Sequence, residues 1–213
     1  SNSSTGFNRP IGFISAGLYA LYIPIIYYSI EILPPILAIF LLLVSILSLL
    51  YFLDSVSINC TKYYWLVIAG ICFGLLIINI VNFLVCLPVI IVWLIYNFKN
   101  IHNRIKPTAL ILYTALSLLP TILTTTRNYL HAKEFVFISY NGGINFFIGN
   151  NPAIHRTIAL RPGIEYDHLV MIPYEEAQIL NFAAQSRFWY KRSFEFILNK
   201  PILWLWFTVK KAI

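Results

Sequence analysis

The chain has 213 residues, of which 59% are hydrophobic and only 11% charged, and its formal net charge is +7. Such an apolar composition excludes an ordinary soluble domain and makes anionic lipid head groups a better partner for the positive charge than nucleic acid. No Arg-rich helix or aromatic RNA-binding motif accompanies the charge, so no nucleic-acid partner is expected. The three cysteines have neither a disulfide framework nor metal-site spacing; they are Cys60, Cys72 and Cys86.

Four stretches of 20 residues or more contain no Asp, Glu, Lys or Arg: Pro10–Ile30, Ile32–Leu53, Tyr63–Phe98 and Pro107–Thr126. A helix needs about 20 apolar residues to cross a bilayer. The third stretch is too long for one helix and divides at Asn79 and Asn82 into two short ones. The sequence therefore predicts an α-helical polytopic membrane protein with about five spans. They cover about residues 11–29, 32–53, 63–80, 82–98 and 107–125.

The basic loop Lys99–Lys106 indicates which side of the membrane each span end faces. Short basic loops mark the cytoplasmic side, and Arg9 and Lys62 fall on the same side when residues 63–98 form a hairpin. This topology places Glu31 and everything after Thr126 on the outer face. A carboxylate beside the membrane is costly unless it is solvated, paired or used, so Glu31 is a candidate functional residue.

Two further features concern packing and the extent of the chain. Gly70 and Gly74 form a GxxxG pair, which is typical of closely packed membrane helices. The chain begins at Ser1 without an initiator Met, and Trp204–Phe207 open another apolar helix just before it stops. We therefore expect a segment of a larger protein, with residues 201–213 starting a further membrane helix.

Residues 127–200 predict a small α/β domain outside the membrane. Glu134–Tyr140 and Ile144–Ile148 have the composition of two strands, and Asn141–Gly143 has that of the turn between them. Glycine and asparagine tolerate positive φ and expose backbone donors, so the loop either cradles an anion or a sugar or is an ordinary hairpin. Glu175–Asn199 predicts an amphipathic helix that lies along the bilayer surface or packs on the loop domain.

Several of these segments carry a resemblance to a known family. The run Asn141–Pro152, which reads NGGINFFIGNNP, is the most specific of them, and it follows Arg127-Asn128-Tyr129 and Phe135-Val136. Together they resemble the outer loop of bacterial membrane glycosyltransferases related to protein O-mannosyltransferases, which are family-39-like proteins with a GT-C fold. Further segments resemble the same proteins and extend the likeness over nearly the whole chain: Leu21–Ser29, Ala69–Leu75, Ser186–Tyr190 and Asn199–Pro201.

The resemblance implies a function in the cell envelope. Members of that family transfer a sugar from a polyprenyl-phosphate donor to a lipid, glycan or protein acceptor at the outer face of the bacterial cytoplasmic membrane. Their catalytic acid lies in the first outer loop near the N-terminus, and no segment here looks like that loop. The catalytic residue is therefore unassigned, and this segment alone is expected to be inactive. No cofactor is identifiable in this segment. A divalent metal elsewhere in the parent protein is compatible with the resemblance.

The donor chemistry suggests which residues bind substrate. The Arg127 guanidinium can meet a membrane-anchored phosphate through two hydrogen bonds, or it is an ordinary interfacial arginine. The asparagines either bind sugar hydroxyls or cap turns. The candidate substrate-binding residues are Arg127, Asn128, Asn141, Gly142, Gly143, Asn145, Asn150, Asn151 and Glu31. Glu165 and Asp167 are weaker candidates, and His131, His155 and His168 show no metal-ligand spacing.

Two other classes of protein remain open. A transporter or lipid flippase also has many spans, but such proteins usually carry ionisable residues at mid-membrane, and here only Asn79 and Asn82 interrupt the apolar stretches. A non-enzymatic membrane subunit is the second alternative. An acidic outer loop upstream of Ser1 favours the enzyme, and its absence favours the subunit.

Overall fold

The computed structural model describes residues 9–30, 34–58, 60–98, 105–160 and 163–212. Every regular element within these ranges is helical, and the described ranges contain no strand. The chain forms two compact units, Ser1–Thr124 and Thr125–Ile213, with the division inside one long helix. Each unit is described separately below.

In the described part of the first unit there are five α-helices, a 3-10 turn and most of a sixth helix. These elements are α1 (Arg9–Leu21), α2 (Ile23–Ile30), α3 (Pro34–Ser57), α4 (Tyr63–Asn79), the 3-10 turn (Val81–Val85), α5 (Cys86–Asn97) and α6 (Ile105–Ala132). The first predicted span is not one helix, because the chain leaves the helix at Tyr22. Pro24 lacks the N–H that would donate to the Ala20 carbonyl one turn earlier, and its ring crowds that turn, which accounts for the break.

Two of these helices are long and apolar enough to cross a membrane, and they cover Pro34–Ser57 and Pro107–Ala132. Only 33% and 22% of their most apolar stretches are buried, whereas the core helix of a soluble protein would be mostly covered. Phe40 and Leu43 on α3 and Ile111 on α6 each expose more than half of their surface. The other apolar helices among the described residues have fewer than 18 residues, so the five predicted spans are supported only in part.

Helices α3 and α4 form an antiparallel hairpin. Phe52 of α3 is fully buried, and its ring lies 5.9 Å from the Tyr63 ring of α4, measured between centroids. The Ser45 hydroxyl donates a hydrogen bond to the Ala69 carbonyl at 3.0 Å, and the Asn79 amide donates to the Pro34 carbonyl at 2.9 Å. Helix α4 therefore ends at Asn79, where the sequence indicates a division, and the Asn79 side chain fixes that end beside the start of α3.

The GxxxG pair packs α4 closely against another helix, as predicted, and the structure shows that this helix is α6. A Cβ atom on Gly70 would lie 2.8 Å from the Leu116 Cβ, and one on Gly74 would lie 2.7 Å from the Ser117 carbonyl oxygen. Both distances are shorter than real Cβ contacts. Only glycine at these two positions therefore allows the two backbones to approach so closely.

The described residues of the second unit form the last two turns of α6 and five further helices. These are α7 (Gly142–Gly149), α8 (Ile154–Thr157), α9 (Ile164–Ala177), α10 (Phe182–Asn199) and α11 (Pro201–Ala212). Helix α7 lies against α10, and Trp189 of α10 is 98% buried at the centre of this unit. Lys133, in the left-handed conformation, ends α6, and its N–H donates to the Tyr129 carbonyl at 2.9 Å.

The predicted α/β character of residues 127–200 is wrong, because neither predicted strand forms. Residues 134–140 have no regular structure, and residues 144–148 lie inside α7. Ile144, Phe147 and Ile148 are spaced at i, i+3 and i+4, which is the helical period, and short apolar runs of this kind suit both structures locally. The packing of α7 against α10 stabilises the helical conformation of these residues.

The predicted amphipathic helix Glu175–Asn199 is also wrong as a single element. Helix α9 ends at Ala177, Gln178 is left-handed with φ 54°, and α10 begins after Asn181. The Asn181 side-chain oxygen accepts hydrogen bonds from the N–H groups of Ala183 and Ala184 at 2.8 and 3.3 Å. This N-terminal cap accounts for the start of a new helix there.

Candidate functional site

The glycines of the NGGINFFIGNNP run allow α7 to touch the backbone of α10. The Gly143 N–H donates to the Ser186 hydroxyl at 3.1 Å, and a Cβ on Gly143 would lie 2.1 Å from the Ser186 carbonyl oxygen. A Cβ on Gly142 would lie 2.7 Å from the Tyr190 hydroxyl. The expected positive φ is wrong at both glycines, since both are helical. They are needed here because of close packing.

Aromatic side chains complete this contact. The Phe146 ring lies 5.4 Å from each of the Tyr190 and Phe194 rings, measured between centroids, and the Phe147 ring lies 4.5 Å from the Trp189 ring. Ring pairs at these separations each add about 0.5–1.5 kcal/mol beyond the area they bury. The start of α7 and its aromatic face thus form one rigid contact with α10.

The carboxyl end of α7 is capped by side chains from later in the chain. The last carbonyls of a helix have no partner inside it, and here four of them accept from side chains. The Asn150 amide donates to the Phe146 carbonyl at 2.9 Å, and the Lys211 ammonium donates to the Gly149 carbonyl at 2.6 Å. The Phe147 and Ile148 carbonyls accept from Asn151, at 2.7 and 3.2 Å.

Asn151 is fully used within the unit. It is 99% buried, its side-chain oxygen accepts from the Ala153 N–H at 2.7 Å, and its amide also donates to the Thr157 hydroxyl at 2.8 Å. The Thr157 hydroxyl donates in turn to the Ile148 carbonyl at 2.8 Å. Asn150 is used in the same way, because its oxygen accepts from the Trp204 indole N–H at 2.8 Å. The structure therefore gives both asparagines a capping role.

Asn128 holds the segment that follows α6. Its amide donates to the Ile138 carbonyl at 2.9 Å. Ile138 has φ 59°, which is strained for a β-branched residue, so this hydrogen bond supports a conformation the segment would not adopt alone. The same segment is tied to α10 through Glu134, whose carboxylate pairs with Arg187 at 2.6 Å and accepts from Asn181 at 3.3 Å. Nothing in the sequence pattern indicates this cluster, because its members are about 50 residues apart.

Three candidate residues keep their side chains available. Arg127, Asn141 and Asn145 are exposed, and the side chain of each bonds to no other described residue. Asn141 and Asn150 stand at opposite ends of α7 and are separated by about 13 Å at the helical rise. The two ends of the NGGINFFIGNNP run therefore do not converge on one sugar, as a hairpin would have allowed.

The remaining acidic candidates are Glu31, Glu165 and Asp167. Glu31 and residues 99–104 of the basic loop lie outside the described residues. Glu165 and Asp167 are exposed in the first turn of α9, where a carboxylate is favoured by the helix dipole. The described ranges hold no group of three or more His, Cys, Asp or Glu that could bind a metal ion.

Two open grooves lie near the junction of α10 and α11, and the sequence did not indicate them. One, of about 370 Å³, is lined by Phe147, Pro152, Arg192, Glu195, Phe196, Asn199 and Lys200. The other, of about 570 Å³, is lined by Asn199, Lys200, Pro201, Ile202, Leu203 and Trp206. Arg192 is paired with Glu176 and lies over the Phe188 ring at 4.7 Å. Lys200 has no acidic partner among the residues described.

Comparison with family models, with curated proteins and with solved structures returned no match for this chain. The function of the second unit is therefore argued from its own geometry. It separates residues that stabilise the fold, such as Asn151, from exposed polar residues, such as Arg127, that are available to a ligand.

Proposed function

We propose that the chain is part of an integral membrane glycosyltransferase with a GT-C-like arrangement of about five spans. The enzyme moves a sugar from a polyprenyl-phosphate donor to a lipid, glycan or protein acceptor at the outer face of the bacterial cytoplasmic membrane. The family resemblance of the run Asn141–Pro152 motivates the proposal. The two helices that are long and apolar enough to cross a membrane, α3 and α6, agree with it.

The exposed and unpaired side chain of Arg127 is the structural observation that best supports the proposal. It lies in the second unit near the end of the apolar helix α6, is exposed, and has no acidic partner in the described part of the chain. Arg187 and Arg192 in the same unit are both paired with carboxylates. A guanidinium free of internal partners at the end of an apolar helix suits a phosphate anchored in the membrane.

The chemistry of transfer gives Arg127 a specific role. As the sugar leaves, negative charge develops on the lipid phosphate, and a positioned cation with two parallel N–H donors stabilises that charge. Asn141 and Asn145 are available to bind hydroxyl groups. The acceptor must also lose a proton to a carboxylate. Glu134 is engaged by Arg187 and Asn181, so this role is left to a carboxylate outside the described contacts.

Binding of the lipid phosphate tests the role of Arg127. The chain in nanodiscs is titrated with polyprenyl phosphate and, separately, with the matching alcohol, which lacks the phosphate. Wild type is compared with Arg127→Lys and Arg127→Gln, and Arg156→Gln removes another exposed, unpaired arginine as a matched control. Arg127→Lys loses the planar fork, and Arg127→Gln loses the charge.

The expected result is weaker phosphate binding in both Arg127 variants and wild-type affinity in Arg156→Gln. Loss of a charge-assisted bond in Arg127→Gln corresponds to about 1.5–3 kcal/mol, or roughly 10- to 150-fold in affinity. Binding of the alcohol should not change. Equal phosphate affinity in all four proteins would make Arg127 an interfacial anchor. In sealed liposomes, transport of the lipid across the bilayer without sugar transfer would favour the flippase instead.

A further inference from the structure

Helix α11 has one face that is docked on the rest of the second unit. The Trp204 indole donates to Asn150 at 2.8 Å, and Lys211 donates to the Gly149 carbonyl at 2.6 Å. The Phe207 ring contacts the His155 and Phe196 rings at 5.3 and 6.4 Å between centroids. These contacts fix α11 against α7, α8 and α10 from Trp204 to Lys211.

The opposite face of α11 is apolar and uncovered. Ile202, Leu205, Trp206 and Val209 are 85%, 56%, 61% and 48% exposed. At about 3.6 residues per turn, these four residues fall within one sector, and Trp204, Phe207 and Lys211 fall in the opposite one. We call the four exposed residues the outer face of α11. Four large apolar side chains side by side in water are unfavourable, so this face requires an apolar partner.

Charge flanks the outer face at both ends. Lys200 precedes the helix, Lys210 lies in its last turn, and both are exposed without an acidic partner among the described residues. No Asp or Glu occurs between Phe196 and Ile213. The groove of about 570 Å³ beside Lys200 is walled by Ile202, Leu203 and Trp206, so a cation lies next to an apolar slot. Such a surface complements an amphiphile with an anionic head group.

The charge pattern and the orientation of α11 indicate how it meets a bilayer. Basic residues at both ends, an apolar middle and an outward-facing tryptophan are typical of a helix lying in the membrane interface. The contacts of Trp204 and Lys211 hold the helix in the orientation that presents this face.

We infer that α11 is an interfacial membrane-binding helix: its outer face enters the boundary between head groups and acyl chains, and Lys200 and Lys210 select anionic phospholipid. Residues 201–213 are expected from the sequence to start a further spanning helix, whereas the docked face of α11 and its flanking lysines favour the membrane interface. It concerns the lipid surface and not the sugar donor, so it stands or fails independently of glycosyl transfer.

Tryptophan quenching in nanodiscs tests this inference. The whole chain is placed in phosphatidylcholine nanodiscs containing either brominated phosphatidylglycerol or brominated phosphatidylcholine. Subtracting the emission of Trp206→Phe from that of wild type isolates Trp206 on the outer face. The same subtraction with Trp204→Phe isolates Trp204, two residues away on the docked face, as the matched control.

Trp206 should be quenched, more strongly by bromine near the head group than near the chain end, whereas Trp204 should not be quenched. Phosphatidylglycerol should quench Trp206 better than phosphatidylcholine, since each lysine near an anionic surface contributes a factor of roughly five. Lys200→Gln together with Lys210→Gln should remove that preference and keep the quenching.

Three results would overturn the inference. Absence of quenching at Trp206 would place the outer face in water or against a second copy of the chain, and concentration-dependent cross-linking through an Ile202→Cys variant would identify the second copy. Equal quenching of Trp204 and Trp206 would remove the distinction between the faces. Equal quenching of Trp206 by both lipids in the wild type would refute selection for anionic lipid.

Discussion

Replacement of Gly143 by Ala tests the contact on which the second unit is built. The new Cβ would lie 2.1 Å from the Ser186 carbonyl oxygen, so α7 must move by about 1.3 Å to reach ordinary van der Waals contact at 3.4 Å. The obstacle is a backbone atom inside α10, so it cannot swing aside as a side chain would. The Phe147–Trp189 ring contact and the Gly143–Ser186 hydrogen bond are then stretched together.

The expected loss is the sum of two effects. Overpacking costs about 1–3 kcal/mol, and the lost hydrogen bond costs about 0.5–1.5 kcal/mol. We therefore expect Gly143→Ala to lower the free energy of unfolding of the second unit by about 1.5–4.5 kcal/mol. Amide hydrogen exchange of α7 and the emission of Trp189 in a denaturant titration both report this loss.

Gly149→Ala is the matched control, because nothing lies within 4 Å of the Cβ it would add. A helical Gly→Ala change at an open position stabilises by about 0.5–1 kcal/mol. Gly143→Asn tests whether Gly143 is required for a positive φ or for close packing. Asparagine tolerates positive φ but is larger than alanine, so it should be accepted in the first case and rejected in the second. An Asn variant as stable as wild type, or an Ala variant no less stable than Gly149→Ala, would refute the packing argument.

Three further predictions concern other contacts of the fold. Asn151→Ala removes the caps of two α7 carbonyls and should destabilise the second unit by about 1–3 kcal/mol, whereas Asn145→Ala, at an exposed site, should change stability by less than about 0.5 kcal/mol; denaturant titrations of both variants compare them. Gly74→Leu should force α4 away from the Ser117 carbonyl, and thermal unfolding in detergent should fall well below that of Gly17→Leu, where space is open. Glu134→Gln should cost about 0.5 kcal/mol or less, because its partner Arg187 is largely exposed; a loss of several kcal/mol in the same titration would show that this ion pair organises the unit.

The long apolar helices were predictable because their signal is local and strong. Helix α3 needs only its uninterrupted apolar run, and the Gly70–Gly74 spacing predicts close packing of α4 on another helix, although only the structure shows that this helix is α6. The break at Tyr22 could also be predicted locally, from Pro24. Counting apolar residues alone does not detect it, because the count ignores the effect of proline on a helix. Such features depend on neighbouring residues and can be read directly from the chain.

The second unit was less predictable because its structure depends on distant partners. Residues 144–148 suit a strand or a helix equally, and Ser186 and Trp189, more than 40 residues away, select the helix. Asn150 and Asn151 resemble ligand-binding residues in the sequence, but their partners include Trp204 and Thr157. Capping and binding need the same amide groups, so sequence alone does not separate them.

The start of α10 is an intermediate case. Asn181 is a favourable N-terminal cap, and its presence inside the predicted helix Glu175–Asn199 was a usable signal for two helices. The amphipathic period continues through the break and hides it. The ion pair between Arg192 and Glu176 joins the two helices that result.

Sugar transfer itself is the most direct test of the proposed function. The protein that carries this chain is incubated in liposomes with polyprenyl-phosphate sugar and a lipid extract, and mass spectrometry follows the donor, the free polyprenyl phosphate and the glycosylated product. We predict that the donor is consumed, that polyprenyl phosphate and product appear in equal amounts, and that Arg127→Gln slows both. A donor pool that stays unchanged with every lipid, glycan and protein acceptor offered would contradict the assignment as a glycosyltransferase.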